Sequence, residues 1–435
     1  CVTDYDADAG VDYFPVKADI EYATMFSVEY SLSYKMLTAT DGKTGNASVY
    51  VLYQCGTPQP TLNGTIVEEY ISIPVTRVAT GVPDHIPRIE LLGHRDTLVA
   101  FTGNTSVIGS PCVDALVEDG EVVQATTSND TCSSYTDNAV LMDLDVDVAF
   151  GDTRFTSFCV NDTNPTYNGV GVASFFETGP NTGLAHGEMI KFFSLFYNDE
   201  EAANEIFDEI EFLWNCTLTN SQGCSLQLDD VPDVAYFNYV PTDPAFGEGW
   251  GVPKDNVSYT YAIRYAGGNP ITCPDVDPDA FLMTDEEMLD CFANATVCIF
   301  AADYDKASTT LVYGTRVLDQ LPCVQNNRVY DFMLSGVNAW FEAITVEPHV
   351  LLEDMVVVLH GDDFNYGLGS YERLLLRNVT EEESGSGTYY ADVGTCDDPD
   401  AVLELQGECN IIVDYSTCNS TLLADSTSRA ARTVP

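Results

Sequence analysis

The chain has 435 residues, 45% apolar and 11% aromatic, enough for two lobes with a substantial core and too apolar for a disordered or fibrous polymer. Sixty-eight acidic against 17 basic side chains leave a net charge of −51. Such a polyanion repels phosphate backbones, which excludes nucleic-acid partners, and it disfavours anionic membrane surfaces. No apolar run reaches the roughly 18 residues of a membrane span; residues 350–360 are interrupted by Glu353 and Asp354. No leader-like segment opens the chain, as expected of a mature or trimmed form.

Residues 1–15 are polar and acidic, a loose N-terminus. Phe26, Val28, Tyr30 and Leu32 alternate, as do Val49, Val51 and Tyr53 beyond the turn-rich stretch 40–46. Residues 18–53 therefore read as a β hairpin or meander. Residues 71–80 are a strand entering a turn at Gly81, and 84–92 an apolar-periodic helix closed by Gly93. A short strand at 97–101, a helix at 111–117 and a buried strand at 146–150 follow. Strands alternating with short helices predict a parallel α/β sheet.

The strongest helical signal is 182–215, where Met189, Ile190, Phe192, Phe193, Phe196, Ile206, Ile210 and Leu213 share one broad stripe. At roughly 30 residues it would span ~45 Å, long enough to join two lobes. A second α/β region carries strands at 234–239, 297–302 and from 327, with helices at 259–266 and 286–294. An amphipathic helix at 347–360 follows. From residue 378 the chain is rich in Gly, Ser and Glu and carries Cys396, Cys409 and Cys418; residues 424–435 read as a solvated linker. No solenoid-length repeat is visible.

The expected fold class is α/β: two α/β lobes joined by one long backbone helix, with an N-terminal β extension and a disulfide-bearing C-terminal tail. The segments are an extension at 1–69, an N-terminal lobe at 70–181, a linking helix at 182–216 and a C-terminal lobe at 217–345. A returning helix at 346–377 and the tail at 378–435 complete the chain.

Fourteen cysteines form no CxxC or other zinc pattern, and the five histidines form no HExxH, so no metal site is expected. Spread over the whole length, the cysteines fit disulfides made in an oxidising compartment. Close pairs such as Cys216/Cys224, Cys291/Cys298 and Cys409/Cys418 could each close a small loop, although spacing leaves the connectivity open. Ten sequons, at Asn46, Asn63, Asn104, Asn129, Asn161, Asn215, Asn256, Asn294, Asn378 and Asn419, exceed the ~4 expected by chance. Both features point to the secretory pathway and a secreted or cell-surface glycoprotein.

No catalytic signature is present: G-x-S-x-G, a Walker loop and G-x-G-x-x-G after a strand are all missing. Two runs, Asp143-x-Asp145-x-Asp147 and Asp275-x-Asp277-x-Asp279, imitate the start of a calcium loop but lack its sixth-position glycine and twelfth-position glutamate. The alternation of Leu144, Val146 and Val148 makes the first a half-exposed strand. His85 lies in the turn Gly81-Val82-Pro83-Asp84-His85-Ile86-Pro87, at a strand end where α/β sheets bind ligands. The plainer reading is Asp84 as a helix cap beside a partly buried imidazole. Trp214 belongs to the core. Trp250, in the glycine-rich Phe246-Gly247-Glu248-Gly249-Trp250-Gly251, and Trp340, before Phe341 and Glu342, read as loop aromatics suited to a bulky ligand. Loop-anchoring tryptophans are the alternative.

Taken in order, several pieces resemble the bacterial periplasmic solute-binding proteins that capture ferric siderophores, haem and cobalamin. They are Ile73-Pro74-Val75-Thr76-Arg77-Val78-Ala79 with its Asp84-His85-Ile86-Pro87 turn, Asp145-Val146-Asp147-Val148-Ala149-Phe150-Gly151, and residues 183–196. Tyr265-Ala266-Gly267-Gly268-Asn269, Asn327-Arg328-Val329-Tyr330 and Trp340-Phe341-Glu342 complete the series over residues 70–360. The sequons, cysteines and terminal additions are foreign to the bacterial proteins, and in these the chain is similar to the secreted cobalamin acquisition proteins of algae. The resemblance implies a non-catalytic protein that encloses cobalamin in a cleft between lobes joined by a stiff helix, for delivery to a cell-surface receptor or transporter. Asp84 and His85 would contribute from the first lobe, and Tyr239, Phe246, Trp250, Trp340, Phe341 and Glu342 from the second. A ferric siderophore or haem would occupy the same cleft. A secreted hydrolase and a structural extracellular glycoprotein are the readings from other classes.

Overall fold

The computed structural model describes residues 1–41, 45–129, 132–152, 169–172, 182–225, 231–243, 247–252, 260–273, 282–301, 317–361, 367, 371–385, 396 and 401–418. The chain forms two compact units. The first comprises Cys1–Phe212, Ser335–Pro348 and Gly385–Gln406, the second Leu213–Leu334, His349–Ser384 and Gly407–Pro435. Each holds an α/β sheet, and one long helix carries the chain from the first into the second, with β strands at the N-terminus and disulfide-bonded cysteines near the C-terminus.

In the first unit, β1 (Phe26–Tyr30), β2 (Tyr34–Thr40) and β3 (Ala47–Gln54) form the expected meander, and β4 (Glu69–Ile73) adds parallel to β3. Strict alternation along β2 turns Lys35, Leu37 and Ala39 inward. Lys35 is fully buried and ion-paired with Glu200 at 2.5 Å, with Nζ also donating to the Leu195 carbonyl at 2.8 Å. Beside it, the Glu188 carboxylate accepts the backbone N–H groups of Glu21, Tyr22 and Ala23 at 2.6–2.9 Å. These contacts make the N-terminal segment part of the first unit rather than an appendage.

The first unit's second sheet is all parallel, in the order β11 (Gly169–Val172), β10 (Val148–Asp152), β5 (Val78–Thr80), β6 (Leu98–Phe101), β7 (Val123–Gln124), with a separate hairpin of β8 (Thr126–Asn129) and β9 (Cys132–Thr136). The expected strand at 71–80 is two strands in two different sheets. The Asp143–Asp147 run is not one strand either. Asp143 ends the helix Asn138–Asp143, Asp145 has φ +52°, and Asp147 accepts Thr76 N–H at 2.7 Å and Arg77 N–H at 3.0 Å. Residues 275–279 lie outside the described residues.

The expected helix 182–216 is three helices, Thr182–Glu188, Ile190–Tyr197 and Glu200–Ser225. Asn198, in the left-handed region at φ +59°, ends the second. The first two helices are buried on every side and serve as core. Only the third, 26 residues and so about 39 Å long, passes between units.

The second unit is built on β12 (Asp233–Asp243). β14 (Asn269–Pro270) pairs parallel at its start, and β13 (Gly247–Gly251) antiparallel at its end. β15 (Val297–Phe300) and β16 (Val329–Asp331) continue the parallel sheet, closed by antiparallel β17 (Arg377–Asn378). The helix Pro348–His360 is buried nearly all round rather than amphipathic. It tolerates Asp354 because that carboxylate accepts the Leu374, Leu375 and Leu376 N–H groups and the Tyr371 hydroxyl.

Six disulfides are described: Cys1–Cys55 and Cys112–Cys396 in the first unit, Cys216–Cys409, Cys224–Cys418, Cys273–Cys291 and Cys298–Cys323 in the second. None joins the close pairs considered from spacing. Cys216 and Cys224 sit two turns apart on one helix, ~12 Å along its axis and beyond the reach of a bridge. Both bond to the tail instead.

Candidate ligand-binding edges

In a doubly wound sheet, ligands bind outside the carboxyl ends of the strands where the order reverses. In the first unit that point is β5: the chain moves from it to β6 and β7 on one side, then returns to β10 and β11 on the other. The three strand ends are knitted by Gly81 N–H to the Phe150 carbonyl (3.0 Å) and Thr102 N–H to the Thr80 carbonyl (2.7 Å). A Cβ at Gly81 would stand 2.6 Å from Thr102 Oγ1, so a larger residue there would force the Thr102 side chain to shift.

His85 follows this edge but is fully buried. Its Nδ1 lies 2.6 Å from Thr80 Oγ1, and its ring packs against Phe193 and Phe150. Asp84 is likewise buried. It caps nothing, and its carboxylate pairs with Arg88 at 2.9 Å. Arg88 in turn donates to the His186 and Thr345 carbonyls. The Asp84-His85 turn thus serves as scaffold beneath the edge.

Trp340, Phe341 and Glu342 lie in the helix Val337–Ala343, within the first unit rather than the second. The loop leaving β6 holds this helix. Asn338 Nδ2 donates to the Ser106 and Ile108 carbonyls, and buried Glu342 accepts Gly109 N–H at 2.5 Å. Trp340 remains half-buried, and Val107, on the same loop, is 40% exposed. The loop beyond the carboxyl end of β6 thus holds the Asn338 and Glu342 face of the helix that carries Trp340. The Phe341 side chain lies outside the described residues.

In the second unit the reversal falls at β12, with β14 on one side and β15 on the other. Tyr239 lies toward its carboxyl end, half-buried, and donates its hydroxyl to exposed Glu248 on β13. Partial burial first, and then the Glu248 charge, push its phenol well above the usual range. Trp250, directly opposite Tyr239, is not a loop residue: it lies in β13, 0% exposed, among Phe237, Met283 and Phe292. Its indole donates to Asp285 at 2.8 Å. Phe246 lies outside the described residues. Sequence reasoning passed over Glu248 and Asn338; reading 239–251 as a hairpin would have placed Glu248 beside Tyr239.

Among the sequons, Asn46, Asn63, Asn104, Asn215 and Asn294 are exposed. Asn378 is not. It is 6% exposed, donates from Nδ2 to the Asn327 carbonyl and accepts the Thr380 N–H and hydroxyl. Asn161, Asn256 and Asn419 lie outside the described residues, as does the Asn129 side chain. No group of three or more His, Cys, Asp or Glu that could hold a metal occurs among the described residues, and no helix is long and apolar enough to cross a membrane.

The elements and edges define a two-unit α/β protein with a switch point in the α/β sheet of each unit. No protein-family model matches the sequence, and no curated protein does. Among solved structures the chain is similar to a periplasmic haem binding protein from Pseudomonas aeruginosa, at 9% identity and TM-score 0.44, over 66% of this chain and 94% of that one. It is also similar to a periplasmic binding protein from Veillonella parvula, at 13% identity and TM-score 0.48, over 77% and 95%. A third is a periplasmic vitamin B12 binding protein of Vibrio cholerae, at 13% identity and TM-score 0.40, over 66% and 97%. At these values none assigns a ligand to this chain.

Proposed function

We propose that this protein is a non-catalytic, secreted solute-binding protein that captures a bulky micronutrient complex, cobalamin, and passes it to a receptor or transporter at the cell surface. The carrying observation is the switch point at β5 in the first unit, beside which the loop leaving β6 carries exposed Val107 and anchors the helix of half-buried Trp340. Aromatic and aliphatic faces beside a few fixed polar groups suit a large, flat ligand whose affinity comes from desolvation. Tyr239 and Glu248 offer a hydrogen-bonding pair in the second unit. Asp84, His85, Trp250 and Glu342 act as supports for these surfaces. Six disulfides fit an extracytoplasmic compartment.

A ferric siderophore or haem is the second reading. The charge of −51 disfavours anionic ligands such as haem with its propionates; an uncharged ferric hydroxamate is separated from cobalamin by titration. Calorimetric titration of the intact glycoprotein with cyanocobalamin, haemin and ferrichrome tests both. Saturable binding of cyanocobalamin at one site is expected. Heat from ferrichrome or haemin alone would move the assignment to iron complexes, and no binding of any of the three would overturn it.

A further inference from the structure

The loop that leaves β6 carries more than the anchors of the Trp340 helix. Phe101 ends the strand, Gly103 packs against the Gly81 carbonyl, and the next residue, Asn104, begins the sequon Asn104-Thr105-Ser106. Asn104 is exposed, and its Oδ1 accepts the Ser106 N–H at 3.1 Å. Two to five residues beyond Asn104, the Ser106 and Ile108 carbonyls and the Gly109 N–H bind Asn338 and Glu342. A glycan bonded to Asn104 Nδ2 would therefore stand on the loop that fixes Trp340, at the edge where a doubly wound sheet takes its ligand.

We propose that the Asn104 glycan is a part of the binding edge and acts as a screen, slowing entry of the ligand while leaving the bound complex unchanged. A hydrated, mobile oligosaccharide beside this edge excludes volume on the path the ligand takes in both directions, so it slows association and dissociation alike and leaves the affinity unchanged. The other exposed sequons lie elsewhere. Asn46 and Asn63 flank β3 at the N-terminal sheet, Asn215 lies on the helix Glu200–Ser225, and Asn294 follows a helix of the second unit. Their glycans should leave ligand entry unaffected.

This inference rests on the capture reading above. Stopped-flow binding of cyanocobalamin tests it on the full glycoprotein, on Ser106→Ala and Asn104→Gln, and on Asn63→Gln and Asn294→Gln as controls. Ser106→Ala removes the sugar but keeps the Asn104 side chain, so it separates the glycan from the loop geometry. Both Asn104-site variants are expected to associate about threefold faster or more, to dissociate faster by the same factor and so to keep the wild-type Kd, with the controls at the wild-type rates. Peptide mapping that finds Asn104 bare would overturn the proposal, as would equal association rates in all five proteins. Failure of every protein to bind cyanocobalamin would instead sink the capture reading on which it depends.

Discussion

Arg88 and Asp84 face each other at 2.9 Å on one helical turn, both with no exposed side-chain surface, and the guanidinium also reaches the carbonyls of His186 and Thr345. One arginine therefore ties the turn after β5 to two segments remote in sequence. Arg88→Met should cost about 3–5 kcal/mol because it leaves a buried carboxylate uncompensated. The double variant Asp84→Leu/Arg88→Met should recover much of that loss. Thermal denaturation measures both, and equal destabilisation of the single and double variants would show that the pair does not act as a unit.

Lys35 supplies a pH signature. Burial lowers its pKa to about 8 despite the Glu200 carboxylate. Between that value and the unfolded lysine value of about 10.4, the unfolded chain holds a proton that the folded one has released, so stability rises with pH across this window. From pH 7.5 to 9.5 the wild type should gain on the order of 1–2 kcal/mol relative to Lys35→Met/Glu200→Gln. Parallel stability curves for the two proteins would refute the assignment.

Trp250 and Trp340 should separate by readout. Trp250→Ala should cost about 3–5 kcal/mol in stability, as for a large aromatic lost from a packed core. The conservative Trp250→Phe should leave cyanocobalamin affinity near wild type. Trp340→Phe should unfold normally and bind about tenfold or more weakly, through loss of a contact face. The reverse pattern would move the ligand to the second unit.

Asn378 should remain without sugar in the secreted protein, since both ends of its carboxamide are engaged inside the fold. Thr380→Ala should leave the intact mass unchanged apart from the substitution and lower stability by about 1 kcal/mol, for the lost hydroxyl contact. A glycan-sized mass decrease would contradict this.

Among the described disulfides, Cys112–Cys396 closes the longest loop, 284 residues in sequence. Replacing both cysteines by serine should lower unfolding free energy by about 2–5 kcal/mol. Non-reducing peptide mapping should recover Cys216–Cys409 and Cys224–Cys418 as separate linked pairs. Recovery of Cys216 linked to Cys224 would be incompatible with the helix that carries them.

Much of the fold is legible locally. Alternation at Phe26, Val28 and Tyr30 locates β1, and the left-handed Gly93 follows the helix His85–Leu91. The glycine-rich surroundings of Trp250 misled because a strand may hold glycine where another backbone comes close: a Cβ at Gly249 would stand 2.7 Å from the Met283 carbonyl. What looks in sequence like a loop too sparse to cover an indole is an edge packed tightly from across the chain. The single stripe over 182–215 failed for a related reason. Periodicity continues through Asn198, whose left-handed backbone breaks the helix.

The amino-acid sequence by itself determined the α/β class, the oxidised cysteines and the position of most elements, because period, turn residues and composition are properties of neighbours along the chain. The tertiary structure alone decided which cysteines meet, that Asp84 serves Arg88 instead of a helix cap, and that Trp340 belongs with the first unit. It also decided that Trp250 and Asn378 are covered while Asn104 is not. Most of these outcomes depend on residues tens to hundreds of positions away, and no local pattern encodes which of them will arrive.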